Sequence, residues 1–121
     1  MAPVEGVRVQ PRFRLTRSED FQRVRRTGKS YAHPLLVLVV RANDRREVRV
    51  GVAAGRAVGS AVKRNRAKRL LRAAMQVFVQ SLPGGWDLVL VARPPLPSST
   101  FLEVRGALQG LLNRAELLVS S

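Results

Sequence analysis

Cysteine is absent from this sequence of 121 residues, histidine occurs once, and acidic residues number only 8. The absence of cysteine excludes disulfides and thiolate metal sites. One histidine and few acids argue against a metal site built by the protein alone. His33 stands directly before Pro34 without an obvious acidic partner, which argues against a role as a general base. We therefore predict no catalytic and no metal-ligating residue, so the reactive groups of any chemistry must come from another molecule.

Long apolar runs are absent as well. No run reaches the roughly 18–20 residues that cross a membrane, and the amino-terminal stretch MAPVEGVRVQPRF lacks the apolar core of a signal peptide. We expect a soluble, cytoplasmic protein with no membrane partner. Hydrophobic residues make up 45% of the chain, which is normal for a globular protein. The length predicts one domain over residues 1–121, in which residues 1–12 form a loose basic segment.

The charge is strongly positive and unevenly distributed. Lys and Arg number 22, which gives a net charge of +14. Residues 56–72 carry 7 basic and no acidic residues, whereas residues 73–121 carry 3 of each. Such an imbalance causes self-repulsion, which a polyanionic partner relieves. Since 19 of the 22 basic residues are Arg, whose planar guanidinium suits phosphate, nucleic acid is the first partner to consider. An anionic membrane surface is the weaker alternative, because no strongly apolar face accompanies the charge.

The apolar periodicity predicts the order helix, two or three strands, helix, strand, helix. We expect Ser18 to cap the first helix, a Ser or Thr to cap the last one, and the second and third strands to pair as a hairpin. The predicted segments are a helix over 16–28, strands over 29–32, 35–40 and 47–55, a helix over about 59–80, a strand over 86–93 and a final helix after the turn 94–97.

The segment AVKRNRAKRLLRAA, residues 61–74, places like charges along one ridge of the predicted central helix. Arg64, Lys68 and Arg72 are four residues apart, so neighbouring cations repel each other. The cations also begin in the first turn, where the helix dipole disfavours positive charge. An ordinary solvated helix face alternates in sign. A surface that binds phosphate explains the segment better.

Two neighbouring features leave alternatives open. The glycines of GRAVGSAVKRNR, residues 55–66, lack the Gly-Lys-Ser/Thr ending of a mononucleotide loop, so a simple strand-to-helix turn is the better interpretation of Gly55. Gly59 and Ser60 could still offer free amides to a phosphate at the start of the helix. Phe21 is either a core residue or a platform on which a base stacks, and its spacing from Val24 favours the core.

Three segments, in order, resemble the bacterial ribonuclease P protein component. VRVGVAAGRAVGSAVKRNRAKRLLRAA carries the family's small-residue turn followed by its Arg-Asn-Arg-x-Lys-Arg block, here residues 64–69. RLTRSEDFQRVRRTGKS is similar to the family's opening helix, and WDLVLVARPP to its strand after the basic helix. The resemblance implies an α+β fold, a single-domain α/β sandwich like a ribosomal-protein domain. It has the order α-β-β-β-α-β-α and a mainly antiparallel four-stranded sheet with an unusual left-handed β-α-β crossover.

The resemblance also implies a function and a set of site residues. The family's catalytic RNA, ribonuclease P RNA, removes the 5′ leader of precursor tRNA with Mg2+ held mainly by the RNA, and the protein binds both RNAs. Contact with the catalytic RNA is implied for Arg56, Ser60, Lys63, Arg64, Asn65, Arg66, Lys68, Arg69 and Arg72. Contact with the leader is implied for Arg14, Arg17, Phe21, Arg25 and Leu38.

The sequence departs from the family pattern in the leader cleft. Arg25 stands where many relatives have a second aromatic residue, and Leu38 where some have tyrosine. Ser60 replaces a common asparagine, and the stretch 53–57 retains Arg56 as its only charge. We therefore expect the leader to be held more by charge than by stacking. The alternative function is that of a non-enzymatic RNA-binding protein of ribosomal-protein type, which would carry the same basic helix.

Overall fold

The secondary structure follows the predicted order α-β-β-β-α-β-α. The computed structural model describes residues 14–15 and 17–118, and the predicted loose segment 1–12 lies outside them. The elements are α1 (Ser18–Thr27), β1 (Lys29–Ala32), β2 (Leu36–Ala42), β3 (Val48–Ala53), α2 (Ala61–Phe78), β4 (Trp86–Ala92) and α3 (Phe101–Arg114), with short 3-10 turns at Arg56–Val58, Val79–Ser81 and Leu96–Ser98.

The four strands form one sheet in the order β1-β2-β4-β3. β1 and β2 are antiparallel, as are β2 and β4, whereas β3 runs parallel to β4. The predicted hairpin between β2 and β3 is therefore wrong, because β4 lies between them. The helix α2 supplies the long connection that a parallel pair requires.

Backbone hydrogen bonds at the start of β4 explain the separation of β2 from β3. The N–H of Asn43 donates to the carbonyl of Gly85 at 2.8 Å, and the N–H of Gly85 donates to the carbonyl of Glu47 at 3.0 Å. The connection from β2 to β3 thus passes the start of β4. Gly84 permits this close approach, since a Cβ there would overlap the carbonyl of Arg46.

The sheet buries both of its faces, but against different elements. Leu36, Leu38, Leu88 and Leu90 pack with α2 and α3 in the larger core. The opposite face carries a small core beneath α1 that contains Leu15, Val24, Val39 and Val89. Because side chains alternate between faces along a strand, Leu38 and Val39 belong to different cores.

The helix ends partly differ from the predictions. Arg17, not Ser18, occupies the N-cap of α1, and it makes no side-chain capping bond. The predicted Ser or Thr cap of the last helix is Thr100, which forms a reciprocal capping box with Glu103. Ser60 caps α2 by accepting a hydrogen bond from the N–H of Lys63 at 3.3 Å.

Candidate nucleic-acid interface

The solvent-facing half of α2 is positively charged. The helix buries Ala67, Leu71, Ala74, Met75 and Phe78, which leaves the polar side chains on the other half. α2 contains no acidic residue. The ion pairs within the described part of the chain join Arg23 to Asp20 and Arg49 to Asp20 and Asp87, so none involves a cation of α2. The charge of this surface is therefore available to an external anion.

Three of the predicted residues line a shallow depression between α2 and the end of β3. Arg64, Asn65 and Lys68 border it together with Ala54 and Ala61, and its volume is about 240 Å³. The Nε atom of Arg64 is buried without a hydrogen-bond partner within the described part of the protein. A buried donor without a partner is unfavourable.

Arg14 lies beside this surface and extends it. Leu15 donates its N–H to the carbonyl of Val50 at 2.8 Å, which places residues 14 and 15 along the free edge of β3. Burial lowers the pKa of Arg72, and the neighbouring charge of Arg14 lowers it further. The family resemblance assigns Arg14 to the leader and Arg72 to the catalytic RNA, whereas the structure places the two charges close enough to interact. A phosphate between them would offset their repulsion.

Arg66 makes a contact that the other predicted cations of α2 do not make. Its Nε atom donates to the carbonyl of Pro97 at 2.7 Å, which ties the helix to the turn before α3. Arg69 is exposed and makes no hydrogen bond or ion pair among the side-chain contacts of the described residues. Arg66 therefore combines a structural role with its charge.

Two further predicted residues lie at the amino-terminal end of α2. Arg56 is exposed in the 3-10 turn, and Lys63 is exposed in the first helical turn. Between them, Gly59 has a φ of 135°, which only glycine adopts readily. Ser60 uses its hydroxyl for the helix cap, where it accepts a hydrogen bond from the N–H of Lys63.

The predicted leader residues on α1 lie over the second face of the sheet. Phe21 is half-buried, and its ring lies over Gly51 of β3, where a Cβ would approach Cε2 of the ring to 2.7 Å. Arg25 follows one turn later and is exposed, as is Arg17 before the helix. Phe21 thus packs against the small core and is also partly accessible, so its role as a stacking platform stays a prediction.

Leu38 does not belong to this cleft. It is 0% exposed and packs in the larger core on the opposite face of the sheet. The half-buried residues that extend the α1 face are Val37 and its cross-strand partner Val91. The prediction was wrong because a shift of one residue along a strand moves a side chain to the other face.

Sequence reasoning missed a charged network beneath α1. The alternation of Val48, Val50 and Val52 along the third strand predicts a solvent-facing Arg49, yet its side chain is only 15% exposed. It binds Asp87 through two hydrogen bonds, Nε to Oδ1 at 2.9 Å and Nη2 to Oδ2 at 2.7 Å. The hydrogen bonds with Asp87 raise the pKa of Arg49. The available signal was the single acid at position 87 inside an otherwise apolar strand.

The acidic side chains that the structure describes do not gather into a cluster of possible metal ligands. Residues 14–15 and 17–118 contain no group of three or more His, Cys, Asp or Glu side chains able to hold a metal ion. Over the same part of the chain, none of the helices has the length and apolar character that crossing a bilayer requires. The described donors therefore do not fit a magnesium site formed by this chain alone.

The fold and the surface together define a class: small basic α+β proteins in which a cationic helix connects two parallel strands of a four-stranded sheet. The model of the ribonuclease P family matches residues 9–116. The chain therefore belongs to the family of ribonuclease P protein components, the protein subunits of a ribonucleoprotein endoribonuclease, which has an RNA partner.

Individual relatives agree with this assignment over most of their length. The chain is 36% identical to the ribonuclease P protein component of Herpetosiphon aurantiacus over 104 residues, covering 86% of this chain and 85% of the relative. It is 38% identical to that of Chloroflexus aurantiacus, covering 88% and 79%. The solved RNase P protein of Staphylococcus aureus superposes with a TM-score of 0.79 at 28% identity, covering 88% of this chain and 98% of the other. The RNase P protein of Thermotoga maritima gives 0.73 at 31% identity, covering 83% and 97%.

Proposed function

We propose that the cationic surface of α2 binds the catalytic RNA of ribonuclease P. The observation that supports this most strongly is the unpaired charge of the helix: its cations have no acidic partner among the described side chains. Phosphate contacts position a protein on RNA without reading its sequence, which suits a surface rich in arginine. We include Arg14 in this surface because it neighbours Arg72.

The face of the sheet beside α1 binds the 5′ leader of precursor tRNA in this proposal. Phe21 offers part of its ring to a base, Arg17 and Arg25 offer charge, and Val37 and Val91 form the apolar floor. One aromatic residue supplies little stacking area, so the leader is held mainly through its phosphates. Leader affinity should fall steeply with salt and vary little with leader sequence. Replacing Phe21 by alanine should cost about 1–3 kcal/mol if one base stacks there.

The catalytic RNA carries out the cleavage in this proposal and yields the mature 5′ end of the tRNA. The bound Mg2+ supplies charge stabilisation at the scissile phosphate and is held mainly by the RNA. The residues of this chain orient the substrate: α2 fixes the protein on the catalytic RNA, and the α1 face holds the leader.

The test is cleavage of a precursor tRNA by a bacterial ribonuclease P RNA at low magnesium, with and without the protein. We expect the protein to restore cleavage that the RNA alone performs poorly under these conditions. The matched control is the variant Arg64→Ala/Lys68→Ala/Arg69→Ala, which keeps the apolar side of α2 and should restore much less activity. Tight RNA binding without any gain in cleavage would favour the alternative, a non-enzymatic RNA-binding protein of ribosomal-protein type.

A further inference from the structure

We propose that Asp20 and Arg49 are positioning residues that set the placement of α1, and thus of Phe21, over the leader cleft. This inference rests on the proposed function of that cleft. Neither residue carries a leader-binding role in the assignment above. Both belong to the charged network beneath α1, and Asp20 adjoins Phe21 in the sequence.

The network joins α1 to the centre of the sheet through one guanidinium. Asp87 lies on β4, is 2% exposed, and holds Nε and Nη2 of Arg49 through both of its carboxylate oxygens. Asn43 donates to the same Asp87 carboxylate at 2.7 Å. Because two parallel hydrogen bonds fix the plane of the guanidinium, the remaining Nη1 has a defined direction. It donates to Oδ2 of Asp20 in the first turn of α1 at 3.2 Å.

Two consecutive residues of α1 therefore contact two positions on one face of β3. Asp20 binds Arg49, and Phe21 lies over Gly51, two residues further along the strand. Residues two apart on a strand point to the same side, so the two contacts together fix both the height of α1 and its rotation. A single contact would leave the helix free to rotate about it.

The rest of α1 supplies few alternative restraints. Val24 is its only fully buried residue, and its N-cap makes no side-chain bond. The Asp20–Arg49 pair is mostly buried, because its side chains are 17% and 15% exposed, so breaking it also costs stability. Its geometry decides where the ring of Phe21 and the charge of Arg25 lie relative to the apolar floor. The network thus affects both the shape of the cleft and the stability of the fold.

Electrostatics alone predicts the opposite effect for Asp20, which makes the inference testable. A carboxylate beside a cleft for RNA repels phosphate, and Asp20 also neutralises Arg23 through a contact of 3.5 Å. Removing its charge should therefore strengthen leader binding if charge were all that mattered. If Asp20 positions Phe21, removing its charge should weaken leader binding instead.

The experiment compares Asp20→Asn with Glu19→Gln, which removes the same charge from an exposed neighbour in the same helical turn. The measured quantity is the ratio of holoenzyme affinities for a precursor tRNA with its leader and for the same tRNA without it. We expect Asp20→Asn to lower this ratio by about three- to tenfold, the equivalent of one hydrogen bond. Glu19→Gln should leave the ratio unchanged or raise it. The affinity of either variant for the catalytic RNA should equal that of the unmodified protein.

A second comparison separates positioning from general loosening of the protein. In a Phe21→Ala background, Asp20→Asn should cause a smaller loss than in the unmodified protein, because the ring that it positions is gone. Arg49→Lys keeps the charge but loses the two-bond geometry, so it should lower the ratio as Asp20→Asn does. An increase with Asp20→Asn that matches Glu19→Gln, or an undiminished loss in the Phe21→Ala background, would overturn the inference. If the unmodified holoenzyme does not distinguish the two tRNAs, the proposed leader cleft fails first and the inference with it.

Discussion

The salt dependence of RNA binding tests the surface of α2 most directly. We consider the triple variant Arg64→Ala/Lys68→Ala/Arg69→Ala. The three side chains lie outside the apolar core of the helix and have no ion-pair partner in the described part of the chain. Each phosphate contact contributes about 0.7–0.9 to the slope of log K against log salt, so three lost contacts should flatten the slope by about 2–3.

The change in slope translates into a large difference in affinity. Raising the salt from about 50 to about 200 mM weakens the binding of both proteins to the catalytic RNA. The factor by which the affinity of the unmodified protein falls should be about 20 to 40 times larger than the factor for the variant. Filter binding or fluorescence titration across a salt series measures this quantity. The unfolding midpoint should stay constant, because none of the three side chains contributes to the core.

A matched control distinguishes local contacts from net charge. The variant Arg45→Ala/Arg46→Ala/Arg105→Ala also loses three positive charges, from exposed positions outside α2. Its slope should change by less than about 1. Equal flattening in the two triple variants would refute the assignment of phosphate contacts to α2 and leave only the overall charge of +14 as the cause.

The remaining predictions concern packing around the two surfaces. Gly51→Ala places a Cβ at 2.7 Å from the Phe21 ring, so it should cost about 1–3 kcal/mol of stability in chemical denaturation; an unchanged midpoint would contradict the close contact. Arg66→Ala should destabilise the protein by about 1–3 kcal/mol through the lost hydrogen bond to Pro97. The control Arg69→Ala should leave the stability unchanged, and equal unfolding midpoints for the two variants would contradict a structural role of Arg66. Leu71→Asp should unfold the protein, because a buried unpaired charge costs several kcal/mol or more. The control is Val62→Asp on the same helix, at a position 75% exposed, where circular dichroism should show a folded protein.

The helices and their buried sides could be predicted from the sequence because their information is local. The helical period predicts that Ala67, Leu70, Leu71, Ala74, Val77 and Phe78 form one apolar stripe of α2, and of these Ala67, Leu71, Ala74 and Phe78 are buried. Val77 was also predicted for this stripe, yet it is 42% exposed. An apolar residue at the edge of a stripe is buried only if another element covers it, and the sequence does not say which element does.

The strand order could not be predicted in the same way, because it depends on contacts between distant segments. The second and third strands looked like a hairpin, since a short polar turn separates them. In the structure, Asn43 and Glu47 instead bond to Gly85, more than 35 positions later, and β4 takes the place between the strands. The error at Leu38 has a related cause. The alternation of faces along β2 was visible in principle, but nothing in an uninterrupted apolar run indicates which alternate residues face α1.

The arginines show most clearly what composition leaves undecided. In sequence, Arg49 and Arg69 are equally charged and equally free to bind phosphate. In the structure, Arg49 is held by Asp87 and Asp20 beneath α1, so its charge is neutralised within the protein. Arg69 is exposed on a helix without acids, so its positive charge is not neutralised by a neighbour on that helix. The net charge therefore overstates the positive charge that an RNA meets at the protein surface. The positions of the few acids decide which cations stay unpaired and so define the proposed binding surface. Because Asp20 and Asp87 both bind the guanidinium of Arg49, they hold α1 over the sheet and neutralise none of the cations of α2.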